Sequence, residues 1–244
     1  MRHFVRLAYR GTNYRGWQRQ PGGLPTVQGT LEAVLGRVER RPVSVVGCGR
    51  TDAGVHASDF VFHFDGPGPL RPGWVRIVNH QLPEDIRVLG ARAVGPTDHA
   101  RFGARERHYR YRIHRRPDPL LAVTSAHYEL PEFDVARARE AVSRLLGRRD
   151  FRALCLTPDR HNTTVCELRH ATVAATDSGY ELTFAADRFL RGMIRLLVHQ
   201  LLAVGRGELS PGELAEAVGR GQRRSAERAR PEGLVLTRVI YDLP

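Results

Sequence analysis

Segments with the two-residue periodicity of a β-strand alternate along this chain with segments that have the 3.6-residue periodicity of a helix. Phe60, Phe62 and Phe64 lie on one face of an extended segment, and residues 104–114 form a longer one. Between residues 27 and 38 the apolar side chains recur at helical spacing; they are Val27, Leu31, Val34, Leu35 and Val38. This alternation predicts an α+β fold with a mixed or antiparallel sheet whose helices cover one face.

The order of the segments predicts two similar α/β halves. Strands are expected at residues 3–9, 43–48, 60–64, 86–94, 104–114, 165–175, 180–186 and 234–243. Helices are expected from residue 26, over 74–80, after Asp134, over 187–204 and from Ser210. A proline-containing joint and a charge run place the boundary near Gly103, which divides the chain into residues 1–103 and 104–244.

The charge balance points to a polyanionic partner. The chain has 38 basic and 26 acidic residues, which gives a net charge of +12. Arginine contacts to phosphates release counterions and supply most of the affinity that does not depend on sequence. We therefore expect a nucleic acid to lie on the open face of the sheet or in a central basic cleft between the halves.

Hydropathy and cysteine usage exclude other classes of protein. The longest apolar stretch, residues 193–204, is interrupted by Arg195, His199 and Gln200, so no membrane span is predicted. Three cysteines without C-x-x-C spacing support neither a disulfide framework nor a zinc ribbon. We expect a soluble, cytoplasmic protein with reduced thiols.

Three segments contain candidate functional residues. Residues 47–57 place Asp52, with Arg50 two residues before it, on a glycine-rich turn between two strands. Such a turn can aim a carboxylate into a cleft, although Thr-Asp-Ala-Gly also occurs in plain turns. Residues 105–112 interleave arginines with Tyr109 and Tyr111, a composition suited to phosphates and exposed bases and also found on ordinary solvated strands. The third segment is the predicted helix, where four basic residues share one sector: Arg188, Arg191, Arg195 and His199.

Several motifs together resemble the tRNA pseudouridine synthase A family. They are Y-R-G-W-Q-R-Q at residues 14–20, T-V-Q-G-T-L-E at 26–32, G-R-T-D-A-G-V-H at 49–56, A-R-F at 100–102, Y-R-Y at 109–111 and P-E-G-L at 231–234. The resemblance runs in order along essentially the whole chain. It implies a pseudouridine-synthase-like fold and an isomerase, without cofactor or metal, that acts on uridines 38–40 of the tRNA anticodon stem-loop. It also implies a homodimer.

The resemblance implies a role for each matching residue. Asp52 is expected to be the catalytic nucleophile, and Arg50 to help displace the target nucleotide. Tyr109 is expected to lie against the target base, and Arg195 to pair with the nucleophile. We add Arg107 and Arg191 as substrate-binding candidates from the basic strand and the basic sector.

The chemistry of the reaction is consistent with these roles. A nucleophile must be ionised at neutral pH, as aspartate side chains are, and a neighbouring arginine keeps a buried carboxylate ionised. The target base must leave its stack at a cost of roughly a few kcal/mol. The sequence does not decide whether Tyr109 only stacks or also assists proton loss from C5 of the base.

Two other functions stay open from the residues themselves. A non-catalytic RNA-binding protein would share the charge and the Arg/Tyr strand. A metal-dependent nuclease would need carboxylates or histidines at ligand spacing, and the sequence has no such cluster; His56 and His63 are expected to pack or to bond the backbone.

Overall fold

The computed structural model describes residues 1–242, and these residues divide into two compact units. The first unit comprises residues 1–105 together with 235–242, and the second comprises residues 106–234. The chain therefore returns to its first unit at its end. These units differ from the predicted halves, 1–103 and 104–244, chiefly in where the last strand belongs.

The first unit has helices beside a largely antiparallel sheet. Its strands are β1 (Arg2–Tyr9), β2 (Val46–Gly47), β3 (His56–Asp65), β4 (Ile86–Val94) and β10 (Leu234–Tyr241), and its helices are α1 (Val27–Glu39) and α2 (Trp74–Gln81). The sheet runs in the order β4-β1-β3-β10, with β2 beside β3. Strand β1 is antiparallel to β3 and β4, whereas β10 is parallel to β3.

Aromatic packing forms the core around β3, and a side-chain cap fixes the start of α1. Phe60, Phe62 and Phe64 are all buried on one face of β3, and Val61 and His63 between them are buried on the other. The Trp17 ring stacks on Phe60 with ring centroids 4.0 Å apart. Helix α1 begins where the Thr26 side chain accepts a hydrogen bond from the Gly29 backbone NH.

The second unit repeats the plan with a different set of elements. Its strands are β5 (Ala104–His114), which enters the unit from the first, β6 (Ala126–His127), β7 (Gly147–Asp150), β8 (Val165–Ala175) and β9 (Gly179–Ala186). Its helices are α3 (Val135–Ser143), α4 (Met193–Gly205) and α5 (Pro211–Gly219). The sheet order is β5-β9-β8-β7, and every neighbouring pair in it is antiparallel. The predicted α+β class with a largely antiparallel sheet is confirmed.

The local signals fix several boundaries. Strands β4 and β5 have the predicted ends. Asp134 caps α3, and Ser210 forms a capping box with Glu213 at the start of α5. Strands β6 and β7 were not predicted because they are short, and the predicted strand at residues 43–48 is reduced to β2. The predicted end of the last strand, Leu243, lies outside the described residues.

The prediction of a helix over residues 187–204 is wrong in its first turns, because α4 begins only at Met193. Asp187 is bound to a neighbouring strand, since its Oδ1 accepts the backbone NH of Glu167 at 2.8 Å. Gly192 has a φ of 74°, a left-handed conformation that interrupts a helix. Within residues 1–242, no helix is long and apolar enough to cross a membrane.

Gly47 should be required for stability because a side chain there has no room. A β-carbon at Gly47 would lie 2.7 Å from both the Phe60 and Trp17 rings, which are buried and cannot rotate away. We expect Gly47→Ala to lower the free energy of unfolding by about 1–3 kcal/mol, measured by urea denaturation. The matched control is Gly49→Ala, where a β-carbon meets no atom within 4 Å. Equal losses in the two variants would contradict this account of the core.

Candidate functional site

The turn that contains Asp52 joins β2 to β3 in the first unit. Asp52 is half-buried, Arg50 is exposed and Thr51 between them is buried. The Asp52 backbone oxygen accepts the Val55 NH at 3.2 Å, and Gly54 has a φ of 78°. The turn therefore needs the conformational freedom of glycine at Gly54 to present the carboxylate two residues earlier.

Residues near the start of the chain hold this turn in place. The Tyr9 hydroxyl and Thr51 Oγ1 are 2.9 Å apart in a buried hydrogen bond. The Trp17 NH donates to the Thr51 backbone oxygen at 3.1 Å, and the Gly54 NH donates to the Tyr14 oxygen at 3.4 Å. Both sides of Asp52 are thus fixed to residues that follow β1.

Two glycines allow the segment after β1 to approach the backbone of the Asp52 turn this closely. A β-carbon at Gly16, which has a φ of 94°, would lie 2.6 Å from the Thr51 backbone oxygen. A β-carbon at Gly11 would overlap the Val55 backbone oxygen. The Gly11 NH donates to His56 Nδ1 at 3.0 Å, so this histidine bonds the backbone as expected.

Tyr109 and Tyr111 share a face of β5 but have different environments. Tyr111 is fully buried, and its hydroxyl donates to the Arg230 oxygen at 2.8 Å. Burial raises the pKa of Tyr111 well above its ordinary value, so the hydroxyl stays protonated. A β-carbon at Gly233 would lie 2.7 Å from the Tyr111 ring, which explains the glycine of P-E-G-L. The second tyrosine of Y-R-Y is therefore structural.

Tyr109, unlike Tyr111, stays partly accessible to solvent. It is half-buried, and its ring meets Phe189 edge-to-face, with centroids 5.2 Å apart and planes at 85°. Two residues earlier, half-buried Arg107 donates from Nη1 to the Asp187 backbone oxygen at 2.6 Å. The loop at residues 187–192 thus supports both side chains from one direction.

Arg195 lies in the first turn of α4 and is buried, with 9% of its surface exposed. Its Nε donates to the Ala229 oxygen at 2.7 Å, and its backbone oxygen accepts the Ala229 NH at 2.9 Å. The first bond orients the guanidinium, and the second holds the backbone of residue 229 beside α4. A buried, oriented guanidinium is suited to binding a carboxylate or a phosphate.

The predicted basic sector of the helix is wrong for two of its members. Arg188 and Arg191 precede α4, so neither lies on the helix with Arg195 and His199. Arg191 is exposed and Arg188 is half-buried. The periodicity therefore could not distinguish the buried Arg195 from the more exposed arginines that precede the helix.

The remaining polar groups give no sign of a metal centre. Among residues 1–242, no group of three His, Cys, Asp or Glu side chains is arranged to hold a metal ion. The supporting residues Tyr9, Phe189 and Ala229 were not identified from the sequence. Gly11 and Gly16 could have indicated that this segment lies against the Asp52 turn, because an isolated glycine often marks a close approach of another backbone.

Comparisons with known proteins give a consistent result. A sequence model of the family described as tRNA pseudouridine synthase matches residues 7–103 and 141–242. The chain is similar to tRNA pseudouridine synthase A of Methylibium petroleiphilum, with 40% identity over 99% of this chain and 94% of that protein. Proteins of the same name from Neisseria gonorrhoeae and Pseudomonas aeruginosa are each 38% identical; the alignments cover 97% and 96% of this chain and 91% and 84% of those proteins.

The Tyr9 hydroxyl should stabilise the Asp52 turn locally. We expect Tyr9→Phe to speed hydrogen exchange at the Gly54 and Val55 amides by about fivefold, because a net hydrogen bond is worth about 1 kcal/mol. Mass spectrometry of peptides that span the turn would measure this rate. The control is Tyr14→Phe, which removes a hydroxyl bonded to Asp85 rather than to the turn. Unchanged exchange in Tyr9→Phe would show that the bond does not restrain the turn.

Proposed function

We propose, because the chain belongs to the tRNA pseudouridine synthase family, that it converts uridine to pseudouridine at positions 38–40 of the tRNA anticodon stem-loop. Membership in the family makes the protein an isomerase that acts on tRNA uridine. The observation that carries the finer proposal is the half-buried Asp52 on a turn restrained from both sides. A restrained carboxylate is what a positioned nucleophile requires.

The reaction rearranges the substrate without changing its composition. The bond between the sugar C1′ and base N1 breaks, and a bond between C1′ and C5 forms. C5 loses a proton and N1 gains one, so no electrons or groups are supplied from outside. Positioned side chains can therefore perform the chemistry by nucleophilic catalysis, charge stabilisation and proton transfer.

Asp52 is the proposed nucleophile toward the extruded uridine, and Arg195 its proposed ion-pair partner. A guanidinium beside a carboxylate favours the ionised form and fixes its direction. The bond from Arg195 Nε to the Ala229 oxygen supports this role, because it holds the guanidinium before any substrate binds. A flexible arginine would lose more side-chain entropy on pairing.

The other predicted residues are proposed to bind the substrate. Tyr109 offers its ring to the flipped base, supported by its edge contact with Phe189. Arg50 is exposed beside Asp52, where it can contact the phosphate or fill the vacated stack. Arg107 and exposed Arg191 are proposed to bind the RNA backbone. Extrusion costs roughly a few kcal/mol, which these contacts must offset.

We also propose that the protein acts as a homodimer. The support is the family resemblance over nearly the whole chain. Multi-angle light scattering at micromolar concentration measures the assembly directly, and the mass of a single chain would refute this part of the proposal.

Asp52→Asn should abolish pseudouridine formation. The amide keeps the size of the side chain but lacks the negative charge and the nucleophilicity, so tRNA affinity should stay nearly unchanged. Single-turnover incubation with an unmodified tRNA transcript, followed by chemical mapping of pseudouridine, measures both rate and position. The control is Asp59→Asn, which makes the same change on β3, where Asp59 pairs with Arg6.

The same experiment separates the competing functions. Turnover retained by Asp52→Asn would refute the nucleophile assignment. A wild-type protein that binds tRNA without forming pseudouridine would be an RNA-binding protein, and strand cleavage that a chelator stops would indicate a nuclease. Pseudouridine at other tRNA positions would leave the enzyme class intact and refute the anticodon stem-loop assignment.

Substitutions at Tyr109 should separate stacking from proton transfer. We expect Tyr109→Ala to weaken tRNA binding by about 5- to 150-fold, the range for loss of one base–aromatic stack. Tyr109→Phe keeps the ring and should bind tRNA as the wild type does, as measured by filter binding. Slow turnover in this tightly binding variant would assign the hydroxyl to proton loss from C5. Equal affinity of the Ala and wild-type proteins would contradict the stacking role.

A further inference from the structure

Phe102 is an exposed aromatic residue that the proposed catalysis does not use. It is the last residue of the A-R-F motif, in the loop between β4 and β5, and 78% of its surface is exposed. Burial of a large apolar side chain normally stabilises the folded protein. A phenylalanine this exposed contributes little to folding and is accessible to a ligand.

The backbone beside Phe102 is anchored to two strands of the first unit. The Ala100 NH donates to Nδ1 of buried His63 at 3.1 Å, and the Ala100 oxygen accepts the Tyr241 hydroxyl at 2.7 Å. Burial lowers the pKa of His63 to about 4, so this histidine stays neutral and accepts the bond at neutral pH. One residue of the loop is thus fixed to β3 and to β10.

His99 restrains the rest of the loop. Its Nδ1 accepts the backbone NH groups of Arg101 and Phe102 at 3.1 and 3.3 Å. Its backbone oxygen accepts the Gly103 NH at 2.8 Å. The loop therefore presents Phe102 in a defined orientation, which lowers the entropy cost of binding a ligand there.

Three planar groups are in contact at this point. The His99 and Phe102 ring centroids are 4.4 Å apart, and the Arg101 guanidinium carbon lies 5.6 Å from the Phe102 centroid. Aromatic rings and arginine planes are the groups on which proteins stack unpaired RNA bases. We define Arg101, Phe102 and His99 as the Phe102 platform.

The cavity beside the Phe102 platform favours a base over a phosphate. It has a volume of about 250 Å³, and its lining includes Phe4, Tyr241, Arg105 and the carboxylates of Asp98 and Asp242. Asp242 pairs with Arg105 at 2.7 Å, whereas the Asp98 carboxylate repels phosphate and can accept hydrogen bonds from the amino groups of bases. The mixed lining therefore suits the edge of a nucleobase stacked on Phe102.

The Phe102 platform is too far from the Asp52 turn to touch the target uridine. His56 follows that turn and His63 supports the platform, and the two histidines are seven residues apart on β3. At about 3.3 Å per residue, the Cα atoms of these two histidines are about 23 Å apart. We propose that the Phe102 platform binds an unpaired base of tRNA outside the anticodon stem-loop. This inference rests on the proposed function, because it takes tRNA as the substrate.

The test compares three variants on a full-length tRNA transcript without modifications. We expect Phe102→Ala to weaken tRNA binding by about 5- to 150-fold and Phe102→Trp to restore it. The rate at saturating tRNA should not change, because the platform does not touch the reacting base. Leu120→Ala is the matched control, since it removes another highly exposed apolar side chain, 86% exposed, from the second unit.

Chemical footprinting locates the contact. One base outside the anticodon stem-loop should be protected by the wild type and Phe102→Trp but not by Phe102→Ala. Unchanged affinity in Phe102→Ala, or a loss equal to that of Leu120→Ala, would overturn the inference. So would a Phe102-dependent footprint within the anticodon loop, or a change of oligomeric mass, which would mark a protein interface. These binding measurements need no turnover, so their failure is distinguishable from failure of the Asp52 assignment.

Discussion

The close approach of the segment after β1 to the Asp52 turn is the constraint on which the rest of the site depends. Trp17 bonds the backbone of Thr51 and stacks on Phe60, so one residue connects the turn to the core of the first unit. The contact is possible only because Gly16 lacks a β-carbon. Restraint of this kind lets a carboxylate be positioned before the substrate binds, which lowers the entropy cost of reaction. The residues around Asp52 therefore matter through backbone geometry more than through their own chemistry.

The second unit follows the same principle with different bonds. Arg195 is oriented by the backbone of Ala229, and Tyr109 rests against Phe189. Tyr111, on the same face of β5, anchors the segment before β10 through the Arg230 oxygen. Arg195 and Tyr109, which have proposed chemical roles, are thus held by groups that have none. Substitutions at these supporting positions should thus act on function indirectly, through orientation.

The sequence predicted those features that depend on local signals. Strands β4 and β5 and the caps at Asp134 and Ser210 follow from periodicity and side-chain hydrogen bonding within a few residues. The bond between Tyr9 and Thr51 joins positions 42 residues apart, and no local pattern encodes it. Likewise, the basic residues before α4 have helical spacing in the sequence. The helix nevertheless begins only at Met193, because Asp187 is bonded to a strand and Gly192 is left-handed. The candidate residues were therefore easier to identify than their supports.

Net charge alone cannot position a tRNA. Many surface arginines pair with neighbouring acids, as Arg112 does with Glu181 and Arg169 with Glu106, yet arginines outnumber acids by twelve over the chain. That excess attracts any polyanion and holds it without a fixed register, because counterion release does not depend on sequence. Register must come from groups with fixed positions, and exposed planar groups on restrained loops are such groups. The restrained Asp52 turn, which precedes β3, and the Phe102 platform, which is supported near the other end of β3, would together define both the position and the direction of a bound RNA.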